Sequence, residues 1–237
     1  MLRRPNGVPV PHDYRSVDTV SQPVHQAQPR IFLVGRPGAG KGTQGARLAQ
    51  RLDVQYVSTG DLLRKAIEAR TPLGTAIEKV INSGNLLPAE LIISLVESCI
   101  EGDSYVLDGF PRTVAQAVAI TSQASNSPPI AIEIAIPTNV ALDRLTHRGR
   151  SDDDITIARR RLVVYETETV PMLNYLQSCG LLHRIDGDAP ADIVEQTIWQ
   201  RVSVVLSSSH PEPAVTMPEQ HHSHADSASL FGAVAAG

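Results

Sequence analysis

The 237-residue sequence contains only two cysteines, Cys99 and Cys179, which lie far apart in the chain. Neither has the paired spacing that binds zinc or forms a redox motif, so we expect no structural zinc. Few and unpaired cysteines are typical of a reducing compartment and favour a cytoplasmic protein. Both side chains are then expected to fill small spaces in the core.

Long hydrophobic runs and an excess of basic residues are also missing. No apolar stretch approaches the roughly 20 residues of a membrane-spanning helix, and the N-terminus lacks the charged-then-apolar order of a secretory signal. The formal net charge is -4, whereas a nucleic-acid-binding protein normally needs a basic face that neutralises several phosphates. We therefore expect neither a membrane nor a nucleic acid as a partner.

Both ends of the chain are rich in proline and polar residues. Such segments have too few apolar side chains to form a core. We therefore predict a disordered extension over residues 1–29, a folded domain over residues 30–205 and a disordered tail over residues 206–237. Two alternatives stay open, namely a transit peptide in the first segment and metal binding by the histidines of residues 221–224.

A glycine-rich segment follows an apolar run at the start of the predicted domain. Residues 31–34 (IFLV) predict a buried strand, and residues 35–43 (GRPGAGKGT), the phosphate loop, open a helix. Glycines let the backbone amides turn inward, the helix N-terminus favours anions, and Lys41 adds a mobile positive charge. The pattern predicts a cradle for a nucleoside triphosphate with magnesium, although Gly42 moves the hydroxyl of the general motif one place on, to Thr43. A structural turn between strand and helix is the alternative.

Short apolar runs alternate with helical patterns through the rest of the domain. The predicted strands cover residues 31–34, 55–57, 105–107, 130–136 and 183–185, and the predicted helices include residues 43–52, 88–100 and 155–176. Strands joined by helices form a parallel sheet that is covered on both faces. The predicted fold class is therefore α/β, a three-layer sandwich of the P-loop NTPase type with a parallel five-stranded sheet. Ligands of such sheets gather at the carboxyl ends of the strands.

An acidic residue, Asp108, ends the third predicted strand and begins the segment DGFPRT. A carboxylate at this point is placed like the one that holds magnesium, often through water, in phosphate-loop enzymes. Gly109 lets the backbone approach a ligand, and Arg112 offers a bidentate fork that suits phosphate. A loop with a surface salt bridge is the alternative.

In combination, these segments resemble the nucleoside monophosphate kinases, and the adenylate kinase family in particular, from about Arg30 to Val204. The matching motifs are GRPGAGKGT at residues 35–43, STGD at 58–61 with Arg64, GNLLP at 84–88, DGFPR at 108–112 with Gln116, and RGRSDD at 148–153 followed by Arg161, Tyr165 and residues 169–171. No long insertion or four-cysteine site separates Arg150 from Arg161, which is typical of the short-lid form. Two positions depart from the family, because Asn85 stands where lysine is common and Arg36 where small residues are common.

The resemblance implies reversible transfer of the γ-phosphoryl group of magnesium ATP to AMP, giving two ADP, by a monomer that serves adenine nucleotide homeostasis. It implies an AMP-binding insert at residues 58–87, called the AMP insert below, and a short lid at residues 148–154. The implied ATP-binding residues are Gly38, Ala39, Gly40, Lys41, Gly42, Thr43, Arg144, Arg148 and Ala189. The implied AMP-binding residues are Thr59, Arg64, Asn85, Leu86, Leu87, Gly109, Phe110, Pro111, Arg112, Gln116, Arg150 and Arg161.

Fixed positive charges suit this reaction, because two phosphate chains that meet head to head repel each other. The resemblance implies a catalytic role for Lys41, Arg112, Arg148, Arg150 and Arg161, and it implies that Asp108 holds Mg²⁺, through water. Neighbouring side chains on a helix point about 100° apart. The resemblance to the family therefore assigns Arg161 to the site, and Arg159 and Arg160 are expected to form a solvated face of the helix.

Several alternatives stay open. A UMP/CMP kinase is disfavoured by Thr59, where the pyrimidine enzymes usually have alanine, and by Gln116, whose amide can accept from an adenine amino group and donate to a ring nitrogen. A non-catalytic nucleotide-binding interaction module is the second alternative. Arg36 can point toward solvent or toward phosphate, and any of the aspartates at residues 152–154 can cap the following helix.

Overall fold

The computed structural model describes residues 28–122, 128–147, 149 and 154–208. Its strands are β1 (Arg30–Val34), β2 (Gln55–Ser58), β3 (Tyr105–Asp108), β4 (Ile130–Ala135) and β5 (Leu182–Asp186). Its helices are α1 (Lys41–Leu52), α2 (Thr59–Glu68), α3 (Pro72–Asn82), α4 (Ala89–Glu97), α5 (Val114–Thr121), α6 (Thr138–His147), α7 (Ile155–Val164), a π-helical turn (Tyr165–Thr169), α8 (Val170–Ser178) and α9 (Ala191–Ser208).

The five strands form one parallel sheet in the order β2-β3-β1-β4-β5. Because every strand runs the same way, all the carboxyl ends lie at one edge, where the phosphate loop leaves β1 and Asp108 ends β3. The predicted strands are all present, with ends that differ by one residue at most. The predicted α/β fold with a parallel five-stranded sheet is confirmed.

Helices cover both faces of the sheet, and alternate residues of β1 enter two separate cores. Ile31 and Leu33 pack with residues of α1 and α9, whereas Phe32 and Val34 pack with residues of α4, α5 and α8. Successive side chains of a strand point to opposite faces, and burying each such side chain stabilises the fold by about 1.5–3 kcal/mol. The two cores make the sheet a rigid support for its carboxyl edge.

The long helix predicted at residues 155–176 is interrupted by the π-helical turn and continues to Ser178. Pro171 lies in the first turn of α8. Since proline has no amide hydrogen, the ordinary α-helical bond from this residue cannot form, and the wider turn is accommodated just before it. Sequence periodicity alone does not reveal such a local change of pitch.

Two smaller predictions need correction. Cys179 is exposed, not core-filling, because α8 ends at Ser178 and the chain turns there; Cys99 is partly buried against one of the cores. The last helix also continues to Ser208, past the predicted end of the domain at residue 205. Within the described ranges, no helix has an apolar stretch long enough to cross a membrane.

Candidate active site

A cleft of about 780 Å³ opens at the carboxyl edge of the sheet. The predicted site residues that line it are Gly38, Gly40, Lys41, Gly42, Thr43, Thr59, Arg64, Asn85, Leu86, Leu87, Asp108, Gly109, Phe110, Pro111, Arg112, Gln116, Arg144 and Arg161. Ala39 is buried behind the loop, and Ala189 packs against the core next to the cleft. Arg148 and Arg150 lie outside the described residues. The fold thus brings together segments from six parts of the chain.

The phosphate loop needs glycine at two of its positions. Gly35 has φ +142°, and a β-carbon there would lie 2.5 Å from the carbonyl oxygen of Ile134. Gly38 has φ +84°, and its β-carbon would lie 2.8 Å from the carbonyl oxygen of Ala141. A side chain at either position would force the loop away from the sheet edge.

Lys41, the first residue of α1, reaches back over the phosphate loop. Its ammonium group donates to the carbonyl oxygens of Gly35 at 2.9 Å and Arg36 at 3.0 Å. The residue before it, Gly40, offers no side-chain cap, and the first turn of α1 contains no acidic residue. An uncapped helix N-terminus beside a flexible cation favours an anion.

Asp108 is held by a residue that sequence reasoning missed. The hydroxyl of Tyr56 donates to Oδ2 of Asp108 at 3.0 Å, and Asp108 is only 9% exposed. Burial raises the pKa of Tyr56, and the nearby charge of Asp108 raises it further, so the hydroxyl keeps its proton and remains a donor. The available signal was a tyrosine in β2, two residues before the STGD motif.

Arg112 is enclosed by its own loop. Its Nε donates to the carbonyl oxygen of Gly109 at 2.6 Å. Burial lowers the pKa of the Arg112 guanidinium, Asp108 raises it, and the positive charge of Arg161 lowers it further. Two guanidinium groups that repel each other in a partly buried place are stabilised by an anion between them.

Gln116 has a partner other than the predicted base. Its side-chain oxygen accepts from the backbone amide of Arg112 at 2.7 Å, and the residue is buried. A carbonyl oxygen has two lone pairs, so this bond leaves one acceptor position for a ligand. The same residue therefore helps to shape the DGFPR loop.

Thr59 joins the start of α2 to the loop after β3. Its hydroxyl lies 3.0 Å from the carbonyl oxygen of Asp108 and 3.1 Å from that of Gly109, and it shares its single proton between these two acceptors. Gly109 has φ +76°, and a β-carbon there would lie 2.9 Å from this hydroxyl. Arg64 forms an ion pair with Asp61 one turn earlier in α2. These contacts fix the near end of the AMP insert.

The far end of the AMP insert touches α7. Arg160 donates to Oδ1 of Asn85 at 3.4 Å. Gly84 has φ +75°, and its β-carbon would lie 2.9 Å from Cγ of Arg160. Arg159 and Arg160 are exposed, as predicted, and Arg161 lines the cleft. Arg160 nevertheless has a partner that the sequence did not reveal.

Arg144 and the N-terminal cap of α7 are the last two features of the site. Arg144 donates to the carbonyl oxygen of Gly187 at 3.2 Å, beside Ala189 in the chain. Of the three candidate caps, Asp154 accepts from the amides of Thr156 at 2.8 Å and Ile157 at 3.4 Å. The other two candidates, residues 152 and 153, fall outside the described residues.

Comparison with known proteins identifies the family of this fold and cleft. The family model for adenylate kinase matches residues 33–181, more than half of the chain. A protein of Methylobacterium nodulans called adenylate kinase is 39% identical over 202 residues, which cover 78% of this chain and 100% of the relative. Adenylate kinase 1 of a Synechocystis species is 39% identical over 179 residues, which cover 73% and 96%. The chain therefore belongs to the adenylate kinase family of nucleoside monophosphate kinases, which are phosphotransferases.

Proposed function

We propose that the described cleft performs this family's reaction, the reversible transfer of the γ-phosphoryl group of magnesium ATP to AMP, giving two ADP. One observation carries the assignment of roles. The phosphate loop with Lys41 faces the same cleft as Asp108 and two arginines, Arg112 and Arg161, which come from different segments. A cation on each side of a shared space suits a phosphoryl group that passes between two anions.

On the ATP side, the amides of residues 38–43 and the ammonium of Lys41 hold the phosphates. Arg144 packs on the adenine, and the backbone of Ala189 accepts from the adenine amino group. The bond from Arg144 to the carbonyl oxygen of Gly187 supports this proposal, because Gly187 lies only two residues before Ala189. The family resemblance further supports a contact between ATP and the lid residue Arg148.

Asp108 would hold the magnesium ion, through water, beside the hydroxyl of Thr43. The oxygen atoms of Asp108 and Thr43 suit magnesium, and both residues line the cleft. Oδ2 of Asp108 also lies close to the phosphate loop, because a β-carbon added to Gly42 would be 3.6 Å from it. Magnesium prefers oxygen ligands and is generally held by one or two carboxylates together with phosphates and water. When bound, the ion neutralises charge on the phosphate oxygens.

On the AMP side, the backbone and side chains of the loop after β3 surround the acceptor. The AMP-binding residues in this proposal are Thr59, Arg64, Asn85, Leu86, Leu87, Gly109, Phe110, Pro111, Arg112, Gln116, Arg150 and Arg161. The partly buried guanidinium of Arg112 and its neighbour Arg161 hold the acceptor phosphate, and their mutual repulsion is relieved when that dianion binds.

Catalysis needs no general base in this scheme, because the attacking AMP phosphate is already anionic. The cations Lys41, Arg112, Arg148, Arg150 and Arg161 align the two phosphates and neutralise their charge. Closure of the AMP insert (residues 58–87) and of the short lid (residues 148–154) excludes water and suppresses hydrolysis of ATP.

The proposal also covers the domain boundaries, the oligomeric state and the compartment of the protein. The catalytic domain runs from residue 30 to the end of α9 at Ser208, between an N-terminal extension and a C-terminal tail, and the protein acts as a monomer in the cytoplasm. The two unpaired cysteines support the compartment, and the resemblance to the short-lid form supports the monomer.

The experiment measures ADP formation from magnesium ATP with AMP, UMP, CMP or GMP as acceptor. Wild-type protein is expected to require AMP, and Lys41→Ala is expected to lose far more turnover than stability, since Lys41 touches the transferring phosphates. Preference for a pyrimidine acceptor would contradict the assigned specificity, and absence of transfer would favour a binding module. Equal losses of turnover and stability in Lys41→Ala would contradict the role of that residue.

A further inference from the structure

Arg36, the unusual residue of the phosphate loop, points neither into the cleft nor freely into solvent. One guanidinium nitrogen donates to the carbonyl oxygen of Ile136 at 3.0 Å, and another donates to Glu166 at 2.7 Å. The guanidinium carbon lies 4.9 Å from the ring centre of Tyr165. The Arg36 side chain is 21% exposed, so salt screens the ion pair only in part.

The aromatic partner of Arg36 is itself firmly held. Tyr165 is buried, and its hydroxyl donates to Oε1 of Glu133 at 3.2 Å. The other oxygen of the buried Glu133 accepts from Nε of Arg184 at 2.7 Å. Glu133 and Arg184 lie on the paired strands β4 and β5. Arg36 thus packs on a ring whose position is set by the sheet.

The π-helical turn that carries Tyr165 and Glu166 is tied to the AMP side at its other end. The hydroxyl of Thr169 donates to the carbonyl oxygen of Arg112 at 3.0 Å. The same turn continues directly from α7, whose residue Arg161 lines the cleft. A single five-residue element therefore contacts the phosphate loop, through Arg36, and the loop of Arg112.

We propose that Arg36 is a positioning residue, which holds the ATP-binding phosphate loop in register with Arg112 and Arg161 through the π-helical turn. The inference rests on the proposed function, because it concerns the relative placement of the donor and acceptor phosphates. In-line phosphoryl transfer depends on that placement, and a displacement of about 1 Å can cost about 100-fold in rate. Arginine suits the task since its planar group can stack on a ring and donate in two directions at once.

The test compares Arg36→Ala and Arg36→Lys with Arg47→Ala. Arg47 is a matched control because it lies in α1, near the same loop, and forms ion pairs with Asp192 and Glu195 away from the cleft. Steady-state rates are measured with AMP and ATP varied separately, and thermal unfolding is followed for each variant. Lysine retains the charge but lacks the planar group that stacks on the ring while it donates in two directions.

We expect Arg36→Ala to lower kcat about ten-fold while KM for each nucleotide changes less than about two-fold, because alignment is lost and not a contact with substrate. Arg36→Lys should have an intermediate kcat, and Arg47→Ala should retain the wild-type value even where it loses comparable thermal stability. Combining Arg36→Ala with Glu166→Gln should lower kcat no further than Arg36→Ala alone.

Four results would overturn the inference. An Arg36→Ala variant with wild-type kcat would show that the loop needs no such tie. A rise of KM for ATP at constant kcat would mean that Arg36 binds ATP directly. Equal loss of kcat in Arg36→Ala and Arg47→Ala would mean a general loss of stability. If Arg36→Ala does not fold, a wild-type kcat in Arg36→Lys overturns the inference. An inactive wild-type protein would instead contradict the proposed function.

Discussion

Gly45 lies in the middle of α1, where glycine weakens a helix by roughly 1 kcal/mol relative to alanine. A β-carbon on Gly45 would lie 2.6 Å from the ring of Tyr56. The missing side chain therefore makes room for an aromatic ring whose hydroxyl holds Asp108. Gly45 therefore weakens α1 but allows Tyr56 to orient Asp108, the carboxylate proposed to hold magnesium.

The Tyr56→Phe variant should need more magnesium. The ring still packs on Gly45, but the bond that orients Asp108 is lost, and partners of this kind typically alter metal affinity or activity by about 10- to 100-fold. We expect the free Mg²⁺ concentration for half-maximal rate to rise about ten-fold, measured at fixed ATP and AMP, with the maximal rate largely recovered at high magnesium.

Tyr105→Phe provides the control for this prediction. Tyr105 lies on the adjacent strand β3, and its hydroxyl interacts with Arg30 at the opposite end of that strand from Asp108. The control should retain the wild-type dependence on magnesium. If both variants shift alike, or if Tyr56→Phe does not shift, the hydroxyl of Tyr56 does not act on Asp108.

The helix α7 begins at a defined cap next to the predicted lid. Asp154 accepts two backbone amides, and these bonds lower the pKa of its carboxyl. A carboxyl whose pKa is lowered in the folded state stabilises that state above its ordinary pKa of about 3.9. The contribution is lost as the pH falls through the lowered pKa.

The Asp154→Asn and Asp154→Ala variants separate charge from capping. Asparagine caps about as well as aspartate, whereas alanine does not cap. We expect Asp154→Ala to lower Tm by about 2 °C at pH 7 and Asp154→Asn by less, with the difference between wild type and Asp154→Asn shrinking as the pH falls below the ordinary Asp pKa. Thermal unfolding from pH 3 to pH 7 measures both. A difference between wild type and Asp154→Asn that is as large at pH 3 as at pH 7 would contradict the linkage.

The AMP insert meets α7 through a polar contact between Arg160 and Asn85. The family often has lysine at the position of Asn85, and lysine cannot accept a hydrogen bond from arginine. The side-chain amide oxygen of Asn85 can accept such a bond. The contact between these two elements therefore requires both the donor, Arg160, and the acceptor, Asn85.

Removing this contact should weaken AMP binding only slightly. A long, exposed hydrogen bond contributes little, so we expect Arg160→Ala to raise KM for AMP about two-fold and to leave KM for ATP unchanged. Asn85→Lys should have a similar or larger effect, because it replaces attraction by repulsion. Steady-state kinetics with AMP varied measure the change. Arg159→Ala is the control, and an equal effect in that exposed neighbour would mean that only the general charge of α7 matters.

The part of the chain that the structure describes has one sheet between two cores, and α9 closes one of them. Val202 is buried in the core that contains Ile31, and Val205 and Leu206 pack against the same core. The folded region therefore continues to the end of α9 at Ser208. This boundary differs from the predicted one because a helical apolar face extends into a segment whose composition is otherwise polar.

A fragment of residues 28–208 should have the kcat of the full chain, since the cleft and both cores are inside it. A fragment that ends at Val205 loses the apolar contacts of Leu206, worth about 1 kcal/mol for a half-buried side chain, and its Tm should be about 2–4 °C lower. Thermal unfolding and the AMP-dependent rate test both statements. A loss of activity in the 28–208 fragment would show that an end segment contributes to the reaction.

Much of the fold and of the cleft followed from local patterns. The run IFLV before GRPGAGKGT predicted β1, the loop and α1, because strand and helix periods and glycine geometry act over a few residues. The resemblance to a known family supplied the identities of the proposed nucleotide-binding residues, of which most face one cleft. The π-helical turn was not predictable in this way, since it depends on a proline that removes one bond and on packing around Tyr165.

The sequence alone was sufficient for the fold class, the family and the location of the phosphate loop. Each of these can be recognised from short segments of consecutive residues. It did not reveal the partners of Arg36, Tyr56 and Arg160, which lie 130, 52 and 75 residues away along the chain. Contacts over such separations depend on the order of the strands and on how helices pack across them. Only the folded structure brings these side chains within hydrogen-bonding distance.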